Sequence, residues 1–160
     1  MSIPSSTLGL PKVLPVTGTF AVPLTALSAL LSLNVVKQRI DLNTWQGEKT
    51  HGQADATSTG VQQPDGHYYD PLLIATRVHA NLLENLPLTL LLAASVELNG
   101  GSKRNLARIL LAFTVLRVSH VIGLTKAAAS FRATAYFGTT GIQLGLAGWS
   151  AMLVKSYWGF

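Results

Sequence analysis

Arg77, His79, Asn81 and Glu84 stand in one short stretch, RVHANLLENLPLTLLL (77–92), that then turns almost purely aliphatic. On a helix each residue advances by about 100°, so Arg77, Asn81 and Glu84 fall within about 60° of one another and form a polar stripe. Charge inside an apolar layer is costly unless it is paired or wetted, so such a stripe must face protein or a polar cavity. Arg77 and Glu84 are two turns apart, too far for a tight pair, with Asn81 between them as a bridge. The stripe reads either as a clamp holding helices together or as one wall of a ligand site, and the residues alone leave both open.

A second set lies further on. Arg117 and His120, at i and i+3, share a helix face, and an arginine in mid-helix calls for a carboxylate. Glu84 and Glu97 are the candidates, and a Glu84–Arg117 pair is expected; His120 by itself reads as a core or interface residue. Arg39 and Arg132 sit at helix ends, where a single basic residue snorkels to headgroups. Taken together with Arg77 they would lie on one membrane face, where they could hold an anionic ligand bearing carboxylates and a thiol. No metal is expected: His79 lies about 200° round the helix from Arg77, and no pair of histidines or carboxylates has ligand spacing. No Ser-His-Asp pattern is present, and with no cysteine in the chain any thiol must be borrowed.

The elements that position these groups follow from hydropathy. Of the 160 residues 48% are hydrophobic and 12% charged, with positive mean hydropathy, against roughly a quarter charged in soluble domains. Residues 16–36 and 133–154 contain no charged residue, and each is long enough to cross the roughly 30 Å hydrocarbon layer as a helix. Pro23 predicts a kink in the first. In the last, Gly138, Gly141, Gly145 and Gly148 predict close helix packing, with Trp149, Tyr157 and Trp158 at an interface belt. Apolar residues also dominate 72–98 and 105–125 despite their charges. The fold class expected is therefore all-α, an up-down four-helix membrane bundle, with helices at about 16–38, 71–98, 104–125 and 132–155. Residues 1–15 read as a flexible lead-in without a signal peptide. The polar stretch 39–70 reads as a partly disordered loop, and NGGSKRN (99–105) as a tight turn with a glycine stop. The net charge of +5 is scattered singly, which argues against nucleic acid as a partner. Lysine and arginine divide almost evenly between the two ends, so they set no orientation.

With these residues in hand, the chain resembles the MAPEG family, the membrane-associated proteins of eicosanoid and glutathione metabolism. RVHANLLENLP is similar to that family's second-helix pattern of Arg, Asn, Glu and Pro, and the RVSH of the third helix (117–120) fits as well. The resemblance covers the chain from about residue 16. It implies a homotrimer with glutathione bound as co-substrate between subunits near one membrane face. Arg77, Asn81 and Glu84 match positions that hold glutathione, Glu84 its amino group and Arg77 a carboxylate. His79 matches a polar position facing the adjacent subunit, and Arg39 a basic residue near the glutathione carboxylates. Arg117 and His120 match the third-helix pair of prostaglandin-synthase-like members. Arg132 and Tyr136 match the start of the fourth helix, with Arg132 as the thiol activator and hence the catalytic residue. The chain departs from several members in carrying Asn85 and Leu124 where they have tyrosine, and in its long first loop. The activity implied is a membrane-bound glutathione transferase, with glutathione peroxidase activity as an extension, acting on hydrophobic electrophiles or lipid hydroperoxides. The alternative is a non-catalytic lipid-binding or scaffold protein of the same fold. The location implied is an integral, multi-pass one, in the endoplasmic reticulum or another endomembrane of a eukaryote, or the inner membrane of a bacterium.

Overall fold

Prolines and glycines mark where the helices start and stop. The computed structural model describes residues 13–43, 61–62, 68–125 and 129–159, side chains excepted at 61, 62, 68, 69, 124, 125, 129–132 and 156. Helix α1 (Pro15–Asp41) opens on a proline, which at the first helical position forfeits no hydrogen bond. It runs through Pro23 as one continuous element. Helix α2 (Pro71–Leu98) also opens on a proline, behind Asp70, whose side chain accepts from the Leu72 amide at 2.8 Å. That is an N-cap in the ordinary sense.

The end of α2 is a Schellman stop. Gly101 N donates to the Val96 carbonyl at 2.9 Å and Gly100 N to that of Glu97 at 3.3 Å, with Gly100 at φ +81°, a conformation that favours glycine. A Cβ on Gly101 would come within 2.5 Å of Val96 Cγ1 and 2.8 Å of its carbonyl, so glycine is required there on steric grounds alone. The chain turns at once into α3 (Lys103–Thr125), then α4 (Ala129–Val154) and a single 3-10 turn (Lys155–Trp158). Between α1 and α2, the segment read as a loop contains a two-residue antiparallel ladder, β1 (Val61–Gln62) against β2 (Tyr68–Tyr69). The loop expected from residue 39 begins later, because α1 continues to Asp41; residues 44–60 and 63–67 of that stretch, expected to be partly disordered, lie outside the described residues.

Contacts give the topology. The N-terminal end of α1 meets the C-terminal end of α2, and Val96 of α2 shares a cluster with Leu106 of α3; both pairs are antiparallel. Ser95 Oγ and Ser150 Oγ lie 2.6 Å apart, and Asn85 meets Gln143, so α2 and α4 run parallel. The up-down four-helix arrangement expected from the sequence is the one observed. Its core has three tiers: Ala93, Val96, Leu106, Leu110 and Leu146 near the α2–α3 turn; Leu24, Leu82, Leu86 and Phe113 at mid-height; Val35, Leu72 and Ala75 at the far end.

The outer surface is also apolar, with Leu30, Leu91, Phe137, Leu144 and Met152 well exposed. Helices apolar on both faces are characteristic of a bilayer environment. Among the described residues, α1 and residues 103–123 of α3 are long and apolar enough to cross a membrane. The glycine stripe of α4 behaves differently from expectation. Only Gly138 sits against a neighbour, where a Cβ would meet Leu116 Cδ1 at 2.8 Å, whereas Gly141, Gly145 and Gly148 face open space. Small size at those three positions therefore answers no contact among the described residues.

Candidate functional site

An interior polar seam runs down α2 at four-residue spacing. Asn81 accepts a hydrogen bond from Arg117 Nη1 on α3 at 2.8 Å through its Oδ1, and its carbonyl accepts from Asn85 Nδ2 at 2.8 Å. One turn on, Gln143 of α4 reaches across with Nε2 to the Asn85 carbonyl (3.2 Å), Asn85 Oδ1 (3.3 Å) and Thr89 Oγ1 (3.2 Å). Thr89 Oγ1 donates to the Asn85 carbonyl at 2.9 Å. Side-chain hydrogen bonds between helices are how apolar bundles fix their register, and this seam joins three of the four helices.

Arg117 is 2% exposed and lies over the Phe113 ring at 5.3 Å from its centroid, a cation–π contact. Its Nε is buried without a hydrogen-bond partner. The expected Glu84–Arg117 pair does not form. Glu84 and Asn81 differ by about 60° on the helix, which is enough to put Asn81 at the inner edge of α2 and Glu84 on its exposed face. The second candidate carboxylate, Glu97, is committed elsewhere. It accepts from Val16 N at 2.9 Å, Thr17 N at 2.8 Å and Thr17 Oγ1 at 2.8 Å. Leu14, the residue before α1, offers no side-chain acceptor, and a carboxylate on the free amides of a first turn satisfies orphan donors and the helix dipole together. Glu97 is thus the cap of α1, supplied by another helix.

The stripe expected on α2 is therefore split. Arg77 and Glu84 are exposed and make no hydrogen bond or ion pair with any described residue, Asn81 is half-buried in the seam, and His79 is half-buried. His120 is buried, 8% exposed, one turn beyond Arg117 on the same face of α3. Asn81 takes the place of a clamp between helices, while Arg77 and Glu84 are presented outward.

The basic residues expected at one membrane face do share an end of the bundle. Arg39 is in the last turn of α1, half-buried, and Arg77 in the second turn of α2. The backbone of Arg132 is in the first turn of α4, while its side chain lies outside the described residues. Tyr136, one turn later, is exposed and packs edge-on against Phe137 at 5.5 Å between centroids. Asn85, Thr89 and Gln143 were not singled out from the sequence as functional. The signal was available: Asn81, Asn85 and Thr89 repeat every fourth residue, and Gln143 is the one amide in the charge-free stretch 133–154. Among the described residues no cluster of His, Asp or Glu could hold a metal ion.

A profile of the MAPEG family matches residues 17–152, most of the chain, from the first turn of α1 to near the end of α4. Among curated proteins and among solved structures, nothing matches at significant similarity.

Proposed function

The chain belongs to the MAPEG family, and from that premise we propose that it is a multi-pass membrane glutathione transferase, with peroxidase activity toward lipid hydroperoxides as an extension of the same chemistry. One observation carries the reading: α2 turns a cation and a carboxylate, Arg77 and Glu84, outward with no partner among the described residues. In an apolar layer two such groups need an answering molecule. Seven residues at about 1.5 Å each separate them by about 10 Å along the helix. Glutathione, with an ammonium group and two carboxylates spread along a short peptide, fits that donor set. A second copy of the chain closing over this face would shield it from lipid, so the reading includes a homotrimer with the site between subunits.

Each residue then has a physical task. Glu84 meets the ammonium group and Arg77 a carboxylate, with Arg39 at the same end as further positive charge. Asn81, fixed by Arg117, holds the register of α2. Arg132 acts by charge: bound glutathione supplies a thiol, and a guanidinium close to it in low dielectric favours the nucleophilic thiolate without giving up a proton. Apolar substrates arrive from the bilayer, so that holding the thiol at its edge supplies proximity.

The test is thiolate absorbance near the ultraviolet edge when glutathione is added to the detergent-purified protein. Wild type should give a saturable signal, and Arg132→Ala should bind glutathione but lose the signal. Glu84→Gln should shift the titration to about tenfold higher glutathione, the loss of one charge-assisted contact. No signal from folded, oligomeric wild-type protein would favour the non-catalytic lipid-binding alternative instead.

A further inference from the structure

The opposite end of the bundle carries its own asymmetry. Around the α2–α3 turn and the end of α4 stand Lys103, Arg104, Arg108 and Lys155, all exposed, and the only acid described there is Glu97. Both oxygens of Glu97 are taken by the first turn of α1, and Lys103 lies close enough to act on it electrostatically. Arg104, Arg108 and Lys155 have no such answer among the described residues. Among the described side chains, Lys37, Arg39 and Arg77 at the other end stand with Asp41 and Asp70, so the larger excess of described positive charge is here.

At this end α3 and α4 part to form a shallow groove of about 360 Å³, lined by Asn105, Arg108, Ile109 and Trp149. Arg108 is five residues into α3, about 7–8 Å below the helix start, the depth of the boundary between headgroups and acyl chains. Below it on the same face, Leu111, Val115, Val118 and Ile122 are exposed and lie within about 80° of Arg108 around the axis. A guanidinium and an amide at the rim, an indole beside them and an aliphatic track beneath match a phosphate headgroup with an acyl chain trailing from it.

We propose that this groove is a binding site for an anionic phospholipid, its headgroup held by Arg108 and Asn105 and its chain laid along the outer face of α3. The site is at the end of the bundle away from Arg77, Arg39 and Arg132, and it stands whether or not the protein uses glutathione. It would seat the subunit at a fixed depth in a bilayer containing anionic lipid.

Trp149 provides the readout. The full chain, carrying Trp45→Phe and Trp158→Phe so that Trp149 alone fluoresces, is placed in phosphatidylcholine bilayers with rising amounts of acyl-brominated phosphatidylglycerol or acyl-brominated phosphatidylcholine. The anionic quencher should act at about fivefold lower mole fraction, the selectivity one well-placed cation provides at a membrane surface. Arg108→Gln should bring that ratio close to unity. Lys37→Gln, at the far end, and Glu84→Gln, in the proposed glutathione site, should leave it in place. Equal quenching by both lipids in the parent protein would overturn the proposal, and that comparison needs no further variant to fold. So would an Arg108→Gln protein that keeps the wild-type ratio, or a quench released by excess inorganic phosphate, which would make the ligand a soluble anion.

Discussion

Arg117 is a buried guanidinium answered by one amide oxygen and one aromatic face, with no carboxylate among the described residues. Removing its acceptor leaves the charge stranded, whereas removing the charge as well restores an apolar interior. Asn81→Leu alone should therefore destabilise the protein by about 1–3 kcal/mol, the penalty of an unsatisfied buried donor. Asn81→Leu combined with Arg117→Met should recover most of that loss. Denaturation in mixed micelles, followed by circular dichroism for both single variants and the double one, gives the coupling directly. Additive losses would show that the two side chains act apart. The sequence displayed the polar residues of α2 plainly, but not how they divide. Arg77, Asn81 and Glu84 span so narrow an arc that the edge of a packed surface can fall inside it, and where it falls depends on α3, whose position the α2 sequence does not encode.

At the level of elements, helix identity and order were legible because length, apolar runs and the Gly100–Gly101 stop are local signals. The cap of α1 was not. Asp70 precedes Pro71 as an N-cap should, yet nothing near Leu14 does the same, and the acceptor arrives from Glu97, roughly eighty residues away. A helix start finished by another helix can be read only after the fold is known. It also makes Glu97 a joint between α1 and α2 rather than a counter-ion for Arg117. Glu97→Ala should free the amides of Val16 and Thr17 and the Thr17 hydroxyl, cost about 1–2 kcal/mol as a lost cap does, and loosen the first turn of α1. Hydrogen exchange at Val16 and Thr17 should quicken while the amides around Leu24 keep their protection. Slow exchange at both sites in Glu97→Ala would mean that Pro15 and the surrounding packing hold the turn unaided.

For the whole molecule, the deciding fact is that the bundle is finished on the inside and unfinished on the outside. Its seam is bonded, its tiers are packed, and yet Arg77 and Glu84 stand on the outer face of α2 while three glycines of α4 meet open space. On the proposed reading the chemistry lies at the boundary of the bundle, which is why hydropathy could announce the bundle while the site had to be argued from charges that no described residue answers. The absence of cysteine allows that boundary to be mapped one thiol at a time. Ala80, exposed between Arg77 and Glu84 on the same face, is the place to put the probe, because Ala80→Cys leaves both charges intact. In bilayers its thiol should react with a water-borne methanethiosulfonate reagent, and glutathione sulfonate at ten times its Kd should slow that reaction about tenfold. Val115→Cys, on the apolar face of α3, should be slow to react throughout, being turned to lipid. An Ala80→Cys protein that is unreactive with and without ligand would mean that this face is sealed by protein contact, and one that reacts at the same rate with and without ligand would mean that it is wetted but empty; either would separate the outward charges of α2 from glutathione.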